Sequence, residues 1–187
     1  MRQGSGLCRF LLRLAGWKMV WVPPPGPKSV VMVYPHTSNW DFIVGILYRF
    51  GLGFKVHWAA KDTLFCTPLG WWFRHVGGVP VNRRERTGFV GQLIERFVKE
   101  EEFHLAIAPE STRRHVDSLK SGFYRIAVGA GVPLGLGRID YATRTVGIDC
   151  WLTLSGDEAK DLEALRAYYA EKRGFNPANA GEIRFKA

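Results

Sequence analysis

Residues 35–41 read Pro-His-Thr-Ser-Asn-Trp-Asp, which sets His36 and Asp41 five positions apart where an apolar run gives way to turn-forming residues. On one continuous helix that spacing turns the two side chains about 140° apart, so they meet only if His36 stays in a loop and Asp41 falls in the first turn of a following helix. The stretch supplies that geometry: Pro35 ends the preceding run, and Thr37, Ser38 and Asn39 are all good N-cap residues. A carboxylate held against one imidazole nitrogen orients the ring and stabilises its charged form, leaving the other nitrogen to take a proton from a hydroxyl. Such a dyad has no nucleophile of its own, so the substrate must bring it. Read alone, the same residues also fit a polar loop histidine and a carboxylate favoured by the helix dipole.

The elements that must position these residues alternate between two periods. SVVMVY (29–34), FKVHWAA (54–60), GVPVN (78–82), FHLAIA (103–108), VPLGLG (132–137) and TVGIDCWLTL (145–154) read as strands. Between them, 40–50, short pieces within 62–75 around Pro68, 86–101, and a stretch near 121–130 read as helices. A last helix is expected after Ser155, spaced from Glu158 as in a capping box, and running to about Lys172. The sum predicts an α/β fold, a single-domain sandwich of one mixed sheet covered by helices.

The N-terminal segment stands apart. A helix over 5–19 would place Leu7, Phe10, Leu11, Leu14 and Trp17 on one face, with Arg9, Arg13 and Ser5 largely elsewhere. That is the pattern of a helix lying in a membrane interface, and equally of a terminal helix docked on its own core. Basic residues interrupt the apolar run and no small-residue cleavage site follows, which argues against a signal peptide. PPPGP at 23–27 is expected to stop this helix, dividing the chain into an amphipathic segment and Pro-rich link (1–28) and a main domain (29–187).

Composition narrows the partners. Lys and Arg number 26 against 17 Asp and Glu, a formal charge of +9 that favours anionic partners such as phospholipid headgroups, acidic carriers or nucleic acid. Cys8, Cys66 and Cys150 are odd in number and widely spaced, so they form neither a metal pair nor a disulfide framework, and a reducing, cytosol-facing home fits best. No apolar stretch reaches the roughly 20 residues that span a bilayer. His57, His75, His104 and His115 lack ligand spacing, so no metal is expected.

Two further clusters carry chemistry. GGVPVNRR (77–84) puts Arg83 and Arg84 just past one strand, and APESTRR (108–114) puts Glu110, Arg113 and Arg114 just past another. A guanidinium fork matches phosphate oxygens, so arginines at two strand ends suit phosphate recognition.

Taken in order, these stretches resemble the glycerolipid acyltransferase family, which includes the 1-acylglycerol-3-phosphate acyltransferases. His36 and Asp41 match its HxxxxD block, and Gly78 to Arg83 its glycine-led block ending in arginine. Pro109, Glu110, Thr112 and Arg113 match its Pro-Glu-Gly-Thr-Arg block, and Val132-Pro133-Leu134 its Val-Pro block. The chain is most similar to the short bacterial members. The resemblance implies a glycerolphosphate-acyltransferase-like fold and acyl transfer to a lysolipid hydroxyl in phospholipid biosynthesis, with acyl-CoA or acyl-carrier protein as co-substrate and no further cofactor. It also implies a peripheral place on the cytoplasmic face of the bacterial inner membrane, against an anionic surface and without nucleic acid. In that scheme His36 is the general base and Asp41 orients it. Arg83 and Arg113 grip the acceptor's phosphate, and Glu110 orients an arginine or an acceptor hydroxyl, with Ser111 and Thr112 completing that pocket.

Ser111 departs from the family pattern, standing where glycine is expected. Serine restricts a positive backbone dihedral and crowds a close phosphate, which predicts an acceptor pocket of altered shape, or else a simple turn former. Two rival classes are a serine hydrolase, for which Ser38 and Ser111 lack the GxSxG elbow, and a non-catalytic basic module binding membrane or nucleic acid.

Overall fold

A computed structural model describes residues 4–81 and 86–186. The described strands are β1 (Lys18–Trp21), β2 (Lys28–Val33), β3 (Val56–Lys61), β4 (Gly78–Val81), β5 (Phe103–Ile107), β6 (Leu134–Asp140) and β7 (Thr145–Leu152). They form one sheet in the order β1-β7-β6-β2-β5-β3-β4, parallel throughout except for the antiparallel pair β6–β7. The described helices are α1 (Gly6–Leu14), α2 (Trp40–Leu52), α3 (Gly70–His75), α4 (Arg86–Lys99), α5 (Gly122–Ala130) and α6 (Glu158–Tyr169). The mixed α/β sandwich expected from the alternating periods is the fold observed.

Strand β2 shows why its run from Val30 to Val33 is apolar without a break. Val30 and Met32 pack with Leu93, Phe97, Phe123, Ile126 and Leu165 from α4, α5 and α6. Val31, pointing the other way, packs with Phe54 and Ile148, beside a cluster of Leu12, Trp17, Val44, Tyr48, Ile139 and Val146 that seats α1 and α2. A strand covered on both faces is apolar at every position rather than at alternate ones. Truncating a fully buried aromatic such as Phe97 or Phe123 to alanine would cost about 3–5 kcal/mol, so the face beneath α4–α6 contributes heavily to stability.

The N-terminal helix ends sooner than its apolar pattern suggests. Gly16, at φ 77°, donates its amide to the Arg13 carbonyl, and Trp17 donates to the Leu12 carbonyl. This is a Schellman stop, completed by apolar contact between Leu12 and Trp17. The helix expected over 5–19 therefore closes at Leu14, and residues 18–21 pair with β7 as an edge strand, ahead of PPPGP. Trp17 is buried in the core and leaves the outward face it was expected to share with Leu7, Phe10, Leu11 and Leu14, which remain exposed.

At the other end of the chain, the cap of α6 is Asp157, whose carboxylate accepts the amides of Ala159 and Lys160, in place of the expected Ser155–Glu158 box. Ser155 instead donates its hydroxyl and amide to buried Asp161. His104 is buried and shares a 2.8 Å hydrogen bond with Ser29, and desolvation lowers its pKa and that of His57, in keeping with the structural part read for both.

Candidate active site

Strands β2 and β5 lie side by side and parallel, so the loops leaving their carboxyl ends emerge together, where ligands characteristically bind in open α/β sheets. The loop after β2 carries His36 and the loop after β5 carries Glu110. The amide of Tyr34 still bonds to the Gly137 carbonyl at 3.1 Å, and a cis peptide then joins Tyr34 to Pro35. Four residues further on, Asn39 caps α2 by its backbone alone, and the Ser38 hydroxyl accepts the Trp40 amide.

Asp41 lies in the first turn of α2 with its side chain wholly buried. Its Oδ2 accepts the amides of Thr37 and Ser38, both at 2.9 Å, and so shapes the loop that carries His36. The same oxygen stands 3.2 Å from His36 Nδ1. That contact is close enough for an ion pair but misaligned for a hydrogen bond, since Nδ1 is buried without an aligned partner. The reason is local: two main-chain donors already claim Oδ2. Catalytic hydrogen bonds often tighten only when substrate arrives, so the misalignment is compatible with a working dyad. A fifth of the His36 side chain stays accessible while Nδ1 is sealed, which leaves Nε2 as the nitrogen open to a substrate.

Glu110 is placed differently from the expectation that it serves an arginine or the acceptor. It is 2% exposed, and its two oxygens accept the amides of His36 at 2.5 Å and Gly181 at 3.2 Å. It braces three segments against one another. Burial pushes its pKa up, against the lowering effect of those two amide bonds.

The rest of the PEST loop is a turn. Ser111 adopts φ 59°, the left-handed conformation glycine would take most easily, and its amide bonds to the Ala108 carbonyl. The loop therefore holds serine in the dihedral that its side chain disfavours. Thr112 accepts the Arg114 amide through its hydroxyl, and Arg113 is exposed, with its carbonyl held by Asn179. Arg83 and Arg84 lie outside the described residues, between β4 and α4.

Two contributors had no signal in the motifs. Tyr141, in the turn after β6, donates its hydroxyl to Asp41 Oδ1 at 2.8 Å. Asn176 donates its amide to the Thr37 hydroxyl and its side chain to the Thr37 carbonyl, and Gly174 sits so close that a Cβ there would lie 2.5 Å from the Thr37 hydroxyl. The C-terminal segment therefore straps both motif loops. Behind it lies a cavity of about 470 Å³ lined by Tyr34, Arg166, Lys172, Arg173 and Arg184 among others, but it contains neither His36 nor Asp41 and so is not the dyad's own pocket.

A family model described as Acyltransferase matches residues 23–135, more than half of the chain and spanning both motif loops. The chain belongs to the acyltransferase family. The resemblance carried by His36, Asp41 and the PEST block is borne out. Among solved structures, this acyltransferase is similar in fold to the 1-acyl-sn-glycerophosphate (LPA) acyltransferase PlsC from Thermotoga maritima. The TM-score is 0.51 at 19% identity, over 88% of this chain and 72% of that one. Comparison with curated proteins gives no match. Tyr141 and the strap fall beyond the family-matched residues.

Proposed function

We propose that this acyltransferase moves a fatty acyl group from the thioester of acyl-CoA or acyl-carrier protein to the hydroxyl of a lysolipid, with 1-acylglycerol-3-phosphate as the leading acceptor. The observation that carries this reading is the His36–Asp41 pair at 3.2 Å, with Asp41 sealed and pinned by main-chain amides and, among the described residues, no nucleophilic side chain completing a triad. Ser38, the nearest serine in sequence, has its hydroxyl engaged by the Trp40 amide. The acceptor hydroxyl is then the nucleophile. His36 Nε2 takes its proton as the oxygen attacks the thioester carbonyl. The tetrahedral intermediate collapses with loss of the thiolate, which receives that proton, and the products are the acylated lipid and the free thiol. The amides of Thr37, Ser38, Trp40 and Phe42 are engaged within the loop and α2, so oxyanion stabilisation falls to other donors.

Arg113, exposed and without an ion-pair partner among the described residues, suits a role at the acceptor's phosphate, and Arg83 is assigned the same role from its block alone. The 1-acyl-sn-glycerophosphate acyltransferase activity of the Thermotoga maritima neighbour supports the choice of acceptor. A peripheral place on the cytoplasmic face of the bacterial inner membrane fits two apolar surfaces. One is the outward face of α1, and the other is Trp40 and Ile43 on α2, directly beside the dyad. No described helix is long and apolar enough to cross a membrane.

The test is thiol release from acyl-CoA with and without lysophosphatidate. Release that depends on the lysolipid is expected. Release without it would indicate a hydrolase, and none at all a binding module.

A further inference from the structure

The two oxygens of Asp41 have different partners. Oδ2 faces the Thr37 and Ser38 amides and His36 Nδ1, while Oδ1 receives the Tyr141 hydroxyl at 2.8 Å. Main-chain bonds alone would leave the carboxylate free to tilt about its Cβ–Cγ bond, since both converge on a single oxygen. The hydroxyl at Oδ1 removes that freedom.

Tyr141 is itself held from both ends of the chain. Its ring meets Trp17 edge-on at 4.9 Å and Phe175 at 5.2 Å, and its amide bonds to the Arg173 carbonyl at 2.9 Å. Burial, and then Asp41 beside it, push the phenol pKa up, so the hydroxyl remains a donor across the neutral range.

We propose that Tyr141 is a positioning residue of the dyad: its hydroxyl fixes Asp41 Oδ1 so that Oδ2 keeps the orientation from which it aligns His36. The inference rests on the acyl-transfer reading above for its kinetic consequence, though not for its electrostatic one. A hydroxyl donated to a carboxylate disperses its charge. Without it, Asp41 holds a protonated imidazole more strongly, so less free base is present at a given pH, and the ring is aligned less well. Among the described residues the charged groups facing His36 are Asp41 and, through the His36 amide, Glu110, and the substitution adds or removes no formal charge at either.

Tyr141→Phe in the full chain removes the bond and keeps both ring contacts. Its kcat for acyl-CoA and lysophosphatidate is expected to fall about tenfold with both KM values unchanged. The acid limb of the kcat–pH profile should move upward by about half a unit, as should the NMR titration of the His36 ring. Tyr48→Phe serves as the structural control. Tyr48 is buried on the same side of the sheet, donates to the Val20 carbonyl and accepts the Ile148 amide, so its loss should lower thermal stability without moving either pH curve. A Tyr141→Phe enzyme whose pH profile matches the wild type would overturn the inference, even if its stability fell. If the wild-type chain releases no more thiol than His36→Ala, it is the acyl-transfer reading that fails. The NMR titration then still decides the claim about Tyr141, and an unshifted curve refutes it.

Discussion

Asp41 is the residue on which the site turns, because one buried carboxylate both shapes the loop and faces the imidazole. His36→Ala should abolish transfer while leaving the melting temperature close to that of the wild type, since the ring is partly exposed and its amide still bonds to Glu110. Asp41→Asn should lower turnover by about 10² or more. A folded His36→Ala enzyme with near-normal turnover would sink the mechanism. Ser111 carries a different expectation. A side chain held at φ 59° costs on the order of 1 kcal/mol relative to glycine, so Ser111→Gly should raise the melting temperature by about 2–4 °C in a chain of this size. Calorimetry reads that directly. Comparing kcat/KM for lysophosphatidate and a second lysolipid then shows whether the serine also selects the acceptor: an unchanged ratio makes it a turn former only.

At the scale of elements, α1 has two faces with different tasks. Leu12 points into the core against α2, whereas Leu7, Phe10 and Leu14 point outward, Leu14 at 73% exposure. Deleting residues 1–22 would confuse the two, since it would also strip β1 from β7 and remove Leu12 and Trp17 from the core. Replacing Leu7, Phe10 and Leu14 together by serine is the cleaner test of membrane contact. The affinity for anionic vesicles read by sedimentation should fall by well over tenfold with the fold unchanged, because burial of each large side chain is worth roughly 1.5–3 kcal/mol. Unchanged sedimentation would mean that this face serves some other purpose. The PEST loop has its own prediction. Arg113→Ala should raise the KM of the acceptor more than that of the donor, because the guanidinium stands exposed on the loop while Glu110 behind it is sealed. Weakening of the donor alone would reassign this arginine to the donor's phosphates.

For the molecule as a whole, Glu110 joins three segments distant in sequence, so its titration bears on global stability. Its folded pKa lies above its unfolded one. The stability it contributes is therefore fully present below the unfolded value and is lost as pH rises through the folded value. Glu110→Gln, which does not titrate, should be less stable than wild type in acid for want of one amide acceptor, and the gap should narrow as pH rises past the ordinary glutamate range. Melting temperatures from about pH 4 to 8 would show this, and a gap that widens would contradict it.

The sequence by itself determined what repeats locally or acts within a few residues: the alternation that builds the sheet, the turn that sets His36 before α2, and the spacing of Asp41. The end of α1 was legible too, in Gly16, but the apolar stripe running on to Trp17 concealed it. Only the tertiary structure decided which oxygen of Asp41 meets which donor, that Glu110 braces the backbone of two other segments, and that Tyr141 and the C-terminal strap close the site. These contacts join residues 71 to 139 positions apart, and no periodicity or motif spacing encodes such a pairing. The packing of β5 and β6 on either side of β2 brings them within hydrogen-bonding reach.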